Sequence, residues 1–228
     1  GSQLPETRAG KVLAICDRID TLIGIFATGK KPTGVKDPYA LRRAAIAIVR
    51  LSIEGECDFD LLTMLQYSAK LLQDRLASEA AATEVFDYIM ERLRGYYLDQ
   101  NIGHDIFEAV RAVKPTRLID FNDRILAVRS FQSLSEAASL AAANKRISNI
   151  LKKTAHQESL VIDESLFSES AEKQLHQQIN QLEVEVAPMF ASHQYSAALT
   201  ALAQLRPSID QFFEDVMVMD ENPRIRNN

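Results

Sequence analysis

Residues 9–45 read AGKVLAICDRIDTLIGIFATGKKPTGVKDPYALRRAA, and this stretch decides the fold class. Val12, Ile15, Ile19, Leu22, Ile23 and Phe26 recur at the interval that lines up one face of an α-helix, predicting a helix over roughly 9–27. TGKKPTG then punctuates the chain with Gly and Pro. Asp37 is the expected N-cap of a second helix, with Pro38 in its first turn. Leu41, Ala44, Ala45, Ile48 and Val49 form the apolar stripe of that helix. Arg43 and Arg50, seven apart, share its opposite face, with Arg42 on the flank.

The helical period continues in both halves of the chain. EGECDFD breaks the second helix, and further amphipathic helices are predicted over 61–76 and 81–94, with a shorter one from QNIGHD to Val113. KPTRLIDFND is the boundary candidate, because the residue before Pro115 avoids the α region. Beyond it come a periodic segment over 121–140, the small-residue run SEAASLAAANKRISNILKK, and a polar stretch over 156–168. Three helices follow, over 171–186 ended by Pro188, over 195–205 ended by Pro207, and over 209–219. No strand-like alternation persists. The expectation is an all-α chain of two consecutive helical bundle domains, 1–114 and 115–228.

A chain of 228 residues can bury a sizeable core without staples. Cys16 and Cys57 fit no CxxC or disulfide pattern, which points to a reducing cytosol. No apolar run reaches the ~18 residues of a membrane span. Gly1-Ser2 in place of an initiator Met reads as the scar of a cleaved tag. NPRIRNN at the other end reads as the start of a helix, so the second domain is expected to lack its last helix. The formal charge of -5 argues against a general nucleic-acid coat, but local distribution of charge decides what a surface attracts.

Catalytic constellations are absent from the sequence pattern. His104-Asp105 spells a dipeptide of HD-type metal phosphohydrolases, yet no further ligands stand at metal spacing, and the pair reads as a helix start. His156, His176 and His193 lie in polar stretches without partners at ligand spacing. Asp17 and Asp20, three apart, serve equally well as surface partners of Arg18 and nearby lysines. Neither cysteine neighbours a histidine, and TGKKPTG lacks the spacing and preceding strand of a phosphate-binding loop.

The basic features are more informative. Between residues 30 and 50 lie Lys30, Lys31, Lys36, Arg42, Arg43 and Arg50 against a single acid, Asp37, a local balance of +5. The loop delivers them to a helix N-terminus, where free N–H groups favour anions. A second patch holds Lys145, Arg146, Lys152 and Lys153 with no acid between 144 and 155. Lys145, Asn149 and Lys152 project from one helix face.

DRIDTLIGIFATGKKPTGVKDPYALRRAA, KPTRLIDFNDRILAVRSF, AAANKRISNIL and FFEDVMVMDENPRIRNN together resemble the β subunit of the bacterial tetrameric glycyl-tRNA synthetase, over essentially the whole chain. The resemblance implies the C-terminal part of that subunit: an HD-like helical region over 1–114, then an all-α anticodon-binding domain over 115–228. It places Asp17 where the last metal ligand of an HD site would stand, but His104-Asp105 falls outside the HD signature, so neither metal nor catalysis is expected here. The implied partners are tRNA(Gly) and the α subunit of an α2β2 enzyme in the cytoplasm. In that enzyme ATP and Mg2+ belong to the α subunit, and neither a membrane nor DNA is a partner.

Charge and helical facing alone select the contacts. In the anticodon domain they are Arg129, Phe131, Asn144, Lys145, Arg146, Asn149, Lys152 and Lys153. In the basic loop they are Lys30, Lys31, Lys36, Arg42, Arg43 and Arg50, for RNA backbone or for docking. Nearby Glu or Asp would accept hydrogen bonds from the C-rich anticodon. The alternative is a docking module for the rest of the synthetase, with no RNA contact.

Overall fold

Helices build the whole of the computed structural model, which describes residues 3–32, 37–74, 80–152 and 162–228. Eleven α-helices and one 3-10 turn, Glu164–Leu166, account for its regular structure, and there is no strand among the described residues. Among the described residues the one strand-like pairing is an isolated antiparallel bridge between Asp60 and Arg117. The chain divides into two compact units, residues 1–125 and 126–228. Lys36, Lys153 and His156 lie outside the described residues.

The first unit contains α1 (Arg8–Ala27), α2 (Leu41–Ile53), α3 (Leu61–Leu72), α4 (Ala81–Leu98), α5 (His104–Arg111) and the start of α6 (Leu118–Gln132). Helix α1 packs against α2, α3 and α4, and α4 also packs against α2, α3 and α5. The stripe of α1 goes into this core as Ile15, Ile19, Leu22, Ile23 and Phe26, and meets Leu41, Ile48 and Val49 of α2 and Val85, Ile89 and Leu93 of α4, all buried. Val12 departs from the stripe. It is 53% exposed and lines a groove with Lys11, Ile15 and Met64.

The start of α2 differs from its expected form. Ala40 adopts φ 56°, in the left-handed region, so the helix begins at Leu41 and Pro38 stays in the preceding turn. Asp37 nevertheless performs the capping role from outside, its carboxylate accepting from the N–H of Leu41 (2.8 Å) and of Arg42 (3.0 Å). The N-terminus of α2 is therefore already satisfied by an internal carboxylate.

Asp60 holds the unit closed. It is the N-cap of α3, accepting from the Thr63 N–H at 2.8 Å. Its other oxygen accepts from the Thr116 hydroxyl at 2.5 Å, and the Leu61 N–H donates to the Thr116 carbonyl at 3.0 Å. Arg117 then grips Asp58 through two bonds of 3.1 Å. The segment before α6 is thereby fastened to the start of α3. Inside the closure, Tyr97, Phe107 and Phe121 pack with ring centroids 5.2–6.3 Å apart. The Tyr97 hydroxyl donates to Asn122 Oδ1 at 3.0 Å, and burial pushes the phenol well above its ordinary range.

The second unit carries the remainder of α6, then α7 (Ala137–Leu151), α8 (Ser170–Ala191), α9 (Tyr195–Ala203), α10 (Arg206–Asp215) and the short α11 (Pro223–Asn227). The expected single segment over 121–140 is two helices. Ser133 bends the chain by donating its N–H and its hydroxyl to the Ser130 carbonyl, at 3.1 and 2.6 Å, a local bond that competes with the helix ladder. Pro188 does not end α8, which continues to Ala191. The carbonyl it deprives of a donor is that of Val184, on an exposed turn near the helix end. Pro207 opens α10 rather than only closing α9, since the first-turn N–H it lacks has no helical partner in any case. Asn222 caps α11 through the Arg224 N–H at 3.0 Å. The core is small, with Leu182, Val186, Ala198 and Ala201 buried, and Met189, Leu202 and Leu205 packed against them.

Replacing Asp60 by Ala should cost about 1–2 kcal/mol in urea unfolding, the usual value of a lost N-cap. Burial works to raise the Asp60 carboxyl, but the hydrogen bonds from Thr116 and Thr63 and the charge of Arg117 outweigh it and hold the group below its ordinary range. A depressed carboxyl stabilises the fold above its unfolded value, near pH 4, and loses that contribution as pH falls through the folded value. Melting of wild type and Asp60→Asn should therefore differ at pH 6 and draw together as pH falls below about 4. Tyr97→Phe should lose about 1 kcal/mol by orphaning Asn122, whereas Phe121→Ala should lose about 3–5 kcal/mol.

Candidate nucleic-acid interface

Helix α7 has the sequence AASLAAANKRISNIL, and Ala137 is its only buried residue. Alanine gives it high intrinsic helicity, so it can hold its shape while presenting most of its residues to solvent. Asn144, Lys145, Arg146 and Asn149 are all exposed, as is Lys152, the C-cap. Lys145, Arg146 and Asn149 line one groove together with Ala142, Ile150 and the Val216–Met219 segment after α10. Met217 and Met219 are 75% and 52% exposed on it. Arg146 is held by the Phe213 ring, its guanidinium carbon 3.9 Å from the ring centroid. The groove thus joins a cationic stripe to an apolar, polarisable edge, a combination that accepts both phosphates and unstacked bases.

The remaining picks of this unit stand elsewhere. Arg129 is exposed in the last turn of α6, and Phe131 is half-buried in the same turn. Neither lines the α7 groove.

In the first unit, the basic loop is partly neutralised by the fold. Lys31 pairs with Glu84 at 2.6 Å, and Arg50 grips Glu54 at 2.8–3.0 Å. Hydrogen bonds from Arg50 hold the Glu54 carboxyl below its usual range. Lys30 is exposed with its ammonium 5.8 Å from the Tyr39 ring centroid. Arg43 faces outward into a shallow groove shared with Asp17, Arg18, Thr21 and Tyr39. Arg42 turns the other way, toward α4.

The metal-site candidates do not assemble. His104 opens α5 with its ring 3.9 Å from Glu108, which Arg111 also approaches at 3.9 Å. Asp20 accepts from the Ser68 hydroxyl at 2.6 Å, while Asp17 is exposed beside Arg43. His176 lies 3.4 Å from Glu164, and His193 touches the Tyr195 hydroxyl at 3.2 Å. Among the described residues, no three His, Cys, Asp or Glu side chains converge on a common point.

Comparison with known proteins gives the two parts of the chain separate family matches. Residues 1–112 match the family model described as glycyl-tRNA synthetase β subunit, and residues 140–228 match the DALR anticodon-binding domain. Over all 228 residues the chain is 45% identical to the glycine–tRNA ligase β subunit of Shewanella putrefaciens. It is 43% identical to that of Pseudomonas aeruginosa over the same length. The chain belongs to the glycyl-tRNA synthetase β-subunit family. It spans 33% of the length of each of these relatives. No described helix is long and apolar enough to cross a membrane.

Half of the α7 groove carries no mark in the sequence pattern of charges. Val216–Met219 line it and Phe213 lies beneath Arg146, but all stand some seventy residues from the basic stripe and carry no charge. The motif FFEDVMVMD held a usable signal, since VMVM is an apolar run with no helical period. Phe213→Leu should keep most of the packing and lose about 0.5–1 kcal/mol of stability through Arg146. Glu84→Gln, by contrast, should change stability by less than about 0.5 kcal/mol, because its pair with Lys31 is about half exposed. Chemical denaturation measures both.

Proposed function

We propose that this chain is the tRNA-binding portion of a glycine–tRNA ligase β subunit, with its second unit reading the anticodon arm of tRNA(Gly). One observation carries the reading: the residues matching the anticodon-binding domain include the exposed Lys145–Arg146–Asn149 groove. Lys145 and Lys152 neutralise backbone phosphates, and Arg146, flattened on Phe213, offers a planar guanidinium for stacking or hydrogen bonding. Met217 and Met219 supply the apolar surface against which a splayed base rests. Glu214 and Asp215 immediately precede Val216 of the groove and are the acceptors suited to cytosine amino groups.

In this reading residues 1–114 belong to an HD-like region and residues 115–228 to an anticodon-binding domain. The joining of glycine to tRNA, with ATP and Mg2+, takes place in the α subunit of an α2β2 enzyme in the cytoplasm. The chain's own contribution is binding and orientation.

Binding of labelled tRNA(Gly) at rising salt tests the reading. Lys145→Glu/Lys152→Glu should weaken binding at least tenfold and flatten the slope of log K against log salt by about 1.5–2, the loss of two phosphate contacts. Preference over a non-cognate tRNA should shrink in Arg146→Ala. Unchanged binding and slope in the double variant would sink the assignment and leave docking to the rest of the synthetase as the role of these surfaces.

A further inference from the structure

Helix α4 sets Glu84, Tyr88 and Arg92 on one face, four residues apart. Glu84 is taken by Lys31. The Tyr88 ring packs against Phe26 at a centroid distance of 5.3 Å, and the Arg92 guanidinium lies over the same ring at 4.9 Å. The Tyr88 hydroxyl and the Arg92 Nε are both enclosed, and neither finds a hydrogen-bond partner among the described residues. No acidic partner of Arg92 stands among the described residues. An enclosed donor left unmade costs about 1–3 kcal/mol, so native proteins supply it with an acceptor from protein, water or ion.

The surrounding charges indicate which acceptor fits. Arg42, in the first turn of α2, reaches toward the Tyr88 hydroxyl without closing a hydrogen bond of good geometry, and its charge acts on that group together with that of Arg92. Asp37 is the acid nearby, and both its oxygens already accept N–H groups at the start of α2. Burial raises the Tyr88 phenol above its ordinary range, so its hydroxyl is a proton donor at neutral pH. Two enclosed donors on one face of α4, the Tyr88 hydroxyl and Arg92 Nε, thus lack an acceptor among the described residues, and the Arg42 charge acts on the first of them. Water would satisfy the hydrogen bonds; an oxyanion would also balance the second guanidinium charge, since Asp37 is a single acid beside two.

We propose that Arg42, Tyr88 and Arg92 form an oxyanion site on the first unit, and that its ligand is a phosphate group. The tetrahedral oxygens of a phosphate match guanidinium donors and leave one oxygen for the tyrosine. That the phosphate is a phosphodiester of bound tRNA rests on the function proposed above; the site itself does not. It would fix RNA backbone on the first unit while the α7 groove reads bases on the second, without carrying sequence information.

The test uses the whole 228-residue chain with inorganic phosphate and with tRNA(Gly). Phosphate at constant ionic strength, against chloride, should raise the melting temperature of wild type and not of Arg92→Gln. Tyr88→Phe keeps the ring under Arg92, so a cooperatively melting variant with a weakened phosphate response assigns the effect to the hydroxyl. In tRNA titrations, Arg92→Gln should flatten the salt slope by about one. A phosphate response with an unchanged tRNA slope overturns the phosphodiester assignment and leaves a small-anion site. Neither response overturns the site entirely and assigns the enclosed donors to water. A phosphate response in a chain that does not bind tRNA leaves the site standing and removes the proposed function instead.

Discussion

The Asp60 carboxylate makes two commitments at once, one local and one far along the chain. One oxygen caps α3 and the other takes the hydroxyl of Thr116, a residue 56 positions along the chain. Loop closure over such a distance costs entropy that a local turn never meets, and it must be offset where the ends meet. The Leu61–Thr116 backbone bond and the Arg117–Asp58 fork lie beside it, so several modest bonds act at one place. The aromatic cluster of Tyr97, Phe107 and Phe121 then fills the space behind them. Helix α6 begins at Leu118, directly after this clasp, with Leu118, Phe121 and Ile125 buried. The position of its first turn is set by a carboxylate on another helix.

Most of the helical content was legible because it rests on a property carried by neighbours in sequence, the spacing of apolar residues. The α1 stripe from Ile15 to Phe26 is the clearest case. The departures share a different origin. Ala40 takes a left-handed conformation that no residue-type preference announces, and this displaces the start of α2 past Pro38. Ser133 interrupts a periodic segment through its own hydroxyl, and Pro188 is tolerated because it falls in the last turns of α8. In each case a single local geometry overrides a pattern averaged over many residues.

The candidate surfaces were legible only as charge. From sequence, Lys31, Arg42, Arg43 and Arg50 are equivalent members of one basic run. Folding sorts them by their surroundings: Lys31 goes to Glu84 far along the chain, Arg50 stays with Glu54 one helical turn away, Arg43 faces solvent, and Arg42 turns toward Tyr88. Tyr88 and Arg92 gave no signal, because an amphipathic helix accommodates both on its flank without disturbing its period. Long-range pairing, which decides whether a cation is available to a ligand, is invisible to any reading that proceeds residue by residue. The same holds for Phe213, whose importance comes from lying beneath Arg146.

Helix α7 buries a single alanine, so tertiary packing contributes little to keeping it helical. Its order depends instead on alanine propensity and on the few side chains, Arg146 among them, that touch α10. The free energy of opening such a segment is small compared with that of the Leu182–Val186–Ala198 core beside it. Anything that engages several α7 side chains at once therefore binds the ordered helix and shifts that local equilibrium, so the recognition surface and its own stability become linked quantities. A ligand here would act as a missing piece of the core as well as a cargo.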